Sequence, residues 1–185
     1  MKAKKSIGWV WEGMEDLGPY ENATQEQASA DLESWIIHEA KRIGGGKLPA
    51  ENLDVLYDPD YTWLQIRRVG GRNELHIGTF GLRPGNFYQE DFRKGISHEL
   101  AHLSLGETES IPYSDEFIKR ELRADLKSIG TIRSGALVNL TRGISEKFKM
   151  RLDNAWDDVS NVARDSFRVS PQVLGKARQD LGLSD

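Results

Sequence analysis

His98-Glu99-Leu100-Ala101-His102 organises the reading of this 185-residue sequence. Placed on a helix, positions i and i+4 lie about 40° apart around the axis, so both imidazoles project from one face. Two neutral ring nitrogens can then reach one Zn²⁺ at roughly 2.0–2.1 Å each. Glu99 is offset by about 100° from His98 and can reach past a metal toward a water. Three fixed residues make a short pattern, so its surroundings carry the argument.

Those surroundings read as helix. Phe92, Ile96, Leu100 and Leu103 form an apolar stripe at helical spacing. Glu90 and Asp91 suit a helix start, and Gly106 suits a helix stop. The spacing predicts a helix over about 89–105. Gly95 lies one turn before the histidines on nearly the same face. It either opens the site or packs against a neighbour.

A catalytic zinc takes three protein ligands and keeps one position open. The sequence holds four histidines (His38, His76, His98 and His102) and no cysteine. Thiolate ligation is thereby excluded. Thr108 stands where the extended metzincin pattern places a third histidine. The third ligand is therefore expected to be a carboxylate, and Glu121 is the best candidate. Phe117 to Leu126 reads as a second helix on which Glu121 and Asp125 share a face. Glu121 can bind the metal while Asp125 accepts the other ring N–H of a ligand histidine, fixing its tautomer. The competing reading makes these acids surface partners of Lys119, Arg120 and Arg123. Glu107 and Glu109 read as solvated loop acids, and Asp115 and Glu116 as caps of the second helix.

Three segments in order carry a resemblance. Arg93-Lys94-Gly95-Ile96-Ser97-His98-Glu99-Leu100-Ala101-His102 resembles the active helix of the ImmA/IrrE family of metallopeptidases. Glu121-x-x-Ala124-Asp125 is similar to that family's third-ligand helix, and to the E-x-x-x-D of thermolysin-like gluzincins. Phe167-Arg168-Val169-Ser170-Pro171 through Leu183 is similar to the family's helical ending. The resemblance covers roughly residues 50–185. Leu126-Lys127-Ser128-Ile129-Gly130 departs from the family's run after the third ligand, and residues 1–49 resemble nothing named. The resemblance implies a zincin-like domain with one Zn²⁺ per chain. It also implies a helix-turn-helix repressor as substrate, and a strand at Leu75–Thr79 whose edge pairs with extended peptide.

Composition fits a globular domain: 38% hydrophobic and 29% charged residues, with net charge −4. The negative charge argues against general nucleic-acid binding. The absence of cysteine fits a reducing compartment. The acidic residues Glu12, Glu15 and Asp16 after the basic start predict no signal peptide, and no apolar run is long enough for a membrane span. A cytoplasmic location is expected.

The remaining elements read as scaffold. Residues 25–43 predict an amphipathic helix with Ala28, Leu32, Trp35, Ile36 and Ile43 inward and His38 outward. Residues 53–58 and 62–80 predict strands, with Val69-Gly70-Gly71-Arg72 as a hairpin turn. Residues 144–167 carry Ile144, Phe148, Leu152, Trp156, Val159, Val162 and Phe167 at core-packing spacing. Ser170-Pro171 starts a last helix to about Leu181.

The expectation is one α+β domain over 1–185: a zincin-like catalytic core at 25–130 with a small antiparallel sheet, and helices at 131–185. Its activity would be zinc-dependent peptide hydrolysis, with His98, His102 and Glu121 as ligands and Glu99 as general base. Tyr113 and His76 are candidates for substrate binding or an electrophilic donor, against a reading of His76 as a half-buried strand residue. Two other classes compete. One is a regulator that keeps the zinc site but acts by binding. The other is a DNA binder using Lys176 and Arg178 of the last helix.

Overall fold

A computed structural model describes residues 25–44, 53–58, 64–78, 90–107, 114–128 and 146–183. The elements are α1 (Gln25–Gly44), β1 (Leu53–Asp58), β2 (Leu64–Val69), β3 (Arg72–Gly78), α2 (Glu90–Leu105), α3 (Asp115–Ser128), α4 (Glu146–Ser166) and α5 (Pro171–Asp180). The α+β class expected from the sequence is what these five helices and three strands form.

The Gly-Gly turn builds the hairpin. Val69 pairs with Arg72 across a two-residue loop. Gly70 and Gly71 take φ of 56° and 82°, and a type I′ turn needs that left-handed geometry at both central positions. β1 then pairs with β3 in parallel, giving the order β1-β3-β2. The sheet is therefore mixed, which corrects the expected antiparallel one. The turn specifies the hairpin locally, but the edge that β1 takes is a tertiary matter. Parallel docking on β3 sets Val55 beside Leu75 and packs Leu53 and Val55 on the same core. β3 is thus the middle strand, so Leu75–Ile77 offers no free edge. That corrects the substrate-edge expectation for Leu75–Thr79 (Thr79 lies outside the described residues). Among the described residues, β1 and β2 are the edges.

Two apolar clusters flank α3. One joins Leu32, Ile36 and Ile43 of α1 to Ile66, Leu75 and Ile77 of the sheet, to Ile96 and Leu100 of α2, and to Ala124 of α3. The other joins Ile118, Leu122 and Leu126 of α3 to Leu152, Trp156 and Val159 of α4, and to Ala177 and Leu181 next to it. Fully burying each Ile or Leu contributes about 1.5–3 kcal/mol. Ile96 and Leu100 together therefore outweigh the about 1 kcal/mol that mid-helix Gly95 costs α2. On α4, Val162 turns outward and Ala163 takes the core position.

Helix ends follow their side chains. Ser114 caps α3, its Oγ accepting from Phe117 N–H at 3.1 Å. Asp115 and Glu116 instead occupy the first turn, where negative charge suits the helix dipole. Ser170 caps α5 by accepting from Val173 N–H, with Pro171 at the first turn. No described helix is long and apolar enough to cross a membrane.

Candidate metal centre

α2 and α3 pack side by side and face their polar stripes toward each other. His98 and His102 on α2 meet Glu121 and Asp125 on α3, and all four are buried. The His98 and His102 Nε2 atoms are 3.0 Å apart. Glu121 Oε2 lies 3.1 Å from His98 Nε2, and Glu121 Oε1 lies 3.4 Å from His102 Nε2. Tetrahedral zinc with bonds of about 2.0–2.1 Å holds its donors roughly 3.3 Å apart. Each separation lies within a few tenths of an ångström of that, with Glu121 meeting the two histidines through its two different oxygens. Among the described residues, these three are the group whose donor atoms converge in a metal-holding arrangement.

The other ring nitrogens face carboxylates. His98 Nδ1 lies 2.6 Å from Asp125 Oδ1, and His102 Nδ1 lies 3.7 Å from Glu107 Oε2. When Nδ1 carries the proton, each neutral ring aims an Nε2 lone pair at the Glu121 carboxylate. Three acceptors aimed at one point require protons or a cation between them. The residues present fit Zn²⁺.

Without a metal, protons fill that role. Burial works against a charge on His98, but Asp125 and Glu121 outweigh it and push its pKa up to about 10. Burial likewise opposes charging His102, and the carboxylates of Glu107 and Glu121 raise it nonetheless. For Glu121 burial pushes upward, yet His102 and His98 hold it well below the ordinary carboxylate range.

Glu99 stands beside the cluster rather than in it. Its Oε2 accepts from the Ile66 N–H of β2 at 3.1 Å. Burial raises its pKa above the usual value against the pull of both histidines. The residue as a whole is partly exposed, while its carboxylate is buried. His76 sits elsewhere. It is buried, with Nε2 3.0 Å from Glu74 Oε2. Strand alternation turns it away from the Leu75 and Ile77 face that packs on the helices. Tyr113 lies outside the described residues, as does Glu109.

Glu107 corrects its reading as a solvated acid. It is partly buried, faces His102 and binds Arg123 at 2.6 Å. The available signal was Gly106, because a helix-ending glycine folds the next residue back over the last turn. Arg120 donates to Glu121 Oε1 at 3.2 Å and stacks over Phe117. Glu39 is buried on α1, accepting from Ser97 Oγ at 2.6 Å and Arg42 Nε at 2.7 Å. Its place between Ile36 and Ile43 on an apolar stripe was the sign that it needed partners.

No family model matches the chain, and no curated protein or solved structure matches it.

Proposed function

We propose that this protein is a zinc-dependent peptidase of zincin type. The observation that carries the reading is Glu99: a carboxylate of raised pKa, held by the Ile66 N–H, beside a group of three residues that could hold a metal ion. Binding alone needs the ligands; an acid–base group next to them serves hydrolysis. His98, His102 and Glu121 hold the metal, and Asp125 orients His98. When bound, zinc supplies Lewis acidity for the scissile carbonyl and acidifies water. Glu99 takes the proton of the attacking water and hands it to the leaving amine.

Substrate enters as an added strand. Among the described residues β2 is an edge strand, and Ile66 N–H points out of the sheet to Glu99. Alternation turns the backbone groups of Leu64, Ile66 and Arg68 to the side away from β3, where Glu99 holds the Ile66 N–H. An extended peptide pairing there lies next to Glu99. The resemblance to ImmA/IrrE proteins adds a helix-turn-helix repressor as the substrate.

The test is metal content followed by cleavage. Wild type purified with zinc should hold about one ion per chain, and Glu121→Ala should lose it. Wild type should then cut a peptide library, read by mass spectrometry, and Glu99→Gln should not. Absence of zinc in wild type overturns the reading.

The DNA-binding alternative draws no support from α5. Arg178 reaches Asp153 at 3.2 Å and Asp157 at 3.6 Å, while Ala177 is buried against α4. Arg178 and Ala177 are thus turned to α4, and of the two basic residues only Lys176 is exposed.

A further inference from the structure

α2 ends in a way that returns one residue to its own last turn. Gly106 has φ of 73°, and its N–H reaches Leu103 C=O at 3.1 Å. The next N–H, of Glu107, reaches back to His102 C=O at 2.8 Å. These two bonds are a Schellman motif, and it leaves Glu107 beside His102.

The Glu107 carboxylate is held from its other side. Arg123 Nε donates to Glu107 Oε1 at 2.6 Å. The same guanidinium donates to Glu116 Oε1 at 2.6 Å on the solvent side. Arg123 stands two residues after Glu121 on α3, so the helix that carries the third ligand also anchors Glu107. What remains is one pair of atoms. Glu107 Oε2 and His102 Nδ1 are both buried and have no hydrogen-bond partner. They face each other across 3.7 Å, and a shift of roughly 0.7 Å brings them to normal bond length.

We infer that Glu107, held by Arg123, is the positioning residue for His102, taking its Nδ1–H as Asp125 takes that of His98. The inference rests on the zinc reading. Each histidine then has its own carboxylate behind it, one from α3 and one from the turn that ends α2. Such partners fix the tautomer and strengthen the nitrogen that faces the metal, and losing one commonly costs 10–100-fold in affinity.

The experiment compares wild type with Glu107→Ala, Glu107→Gln and Glu116→Gln. Zinc affinity is measured by chelator competition, and the His102 Nδ1–H signal by nitrogen-15 NMR. Glu107→Ala should weaken zinc about 10–100-fold and shift the His102 signal while leaving that of His98 in place. Glu107→Gln keeps an acceptor and should lose less. Glu116→Gln, which also touches Arg123, should stay within about twofold. Zinc affinity within twofold of wild type and an unmoved His102 signal in Glu107→Ala overturn the inference. If Glu107→Ala does not fold, the same two readouts on Glu107→Gln decide it. If wild type takes no zinc, the metal reading fails by itself. The His102 signal of the metal-free chain then decides the pairing: a shift in Glu107→Ala sustains it, and no shift overturns it.

Discussion

Ser97 gives its hydroxyl hydrogen to Glu39 across 2.6 Å, tying α1 to α2 one residue before His98. Arg42 completes the tie, donating to Glu39 and to the Ser128 carbonyl at the end of α3. Through Arg42, one buried carboxylate thus links α1 to the two helices that carry His98, His102 and Glu121. Replacing it by alanine removes the acceptor shared by Ser97 and Arg42, leaving Ser97 its bond to the Arg93 carbonyl and half-exposed Arg42 its bond to the Ser128 carbonyl. Glu39→Ala should cost about 1–3 kcal/mol. At roughly 2–4 °C per kcal/mol for a chain of this size, calorimetry resolves that loss. An unchanged Tm would mean that the brace contributes nothing.

Asp125 is the firmest neighbour of a ligand histidine, 1% exposed and 2.6 Å from His98 Nδ1. Asp125→Ala should lower zinc affinity about 10–100-fold. Asp125→Asn retains an acceptor without the charge and should fall between that variant and wild type. The order wild type, Asn, Ala in a chelator titration is the result to look for. Equal affinity in all three would remove Asp125 from the site.

Glu99 touches no ligand nitrogen within hydrogen-bond length and accepts from Ile66 N–H instead. Glu99→Gln should therefore bind zinc like wild type while losing about 10²–10⁴-fold in hydrolysis, the range for a general acid–base group. Loss of zinc together with activity would mean that Glu99 helps hold the metal.

Legibility in the sequence divided along the line between local and tertiary information. α2 was readable because Phe92, Ile96, Leu100 and Leu103 repeat at helical spacing, and all four are buried. The hairpin was readable because two glycines supply a turn that other residues resist. The convergence of Glu121 and Asp125 on the histidines was readable because i and i+4 share a face on both helices. β1 was misplaced because parallel docking on β3 depends on apolar contacts across the sheet, which no local turn encodes. Glu107 was misread because its burial comes from Arg123 on another helix. Glu39 was missed because its partner Ser97 lies far along the chain.

The charge state of the cluster gives the last prediction. His98 titrates near 10 in the metal-free chain, above its ordinary 6.5. A group raised in this way adds stability in full below the ordinary value and loses it as pH climbs through the raised one. Glu121 is shifted the other way, from an ordinary 4.5, so its share is present above that value and lost as pH falls. The metal-free protein should therefore draw most stability from this cluster between the two ordinary values, and its Tm should decline from pH 7 toward 10. Zinc reverses the requirement, because a ligand imidazole must be neutral. Binding at pH 7 should release protons from His98 and His102, up to two per ion, and apparent affinity should rise with pH toward about 10. Titration calorimetry in buffers of different ionisation enthalpy counts those protons. Zinc binding at pH 7 with no proton release would show that His98 is neutral in the folded chain, and that Asp125 and Glu121 do not outweigh its burial.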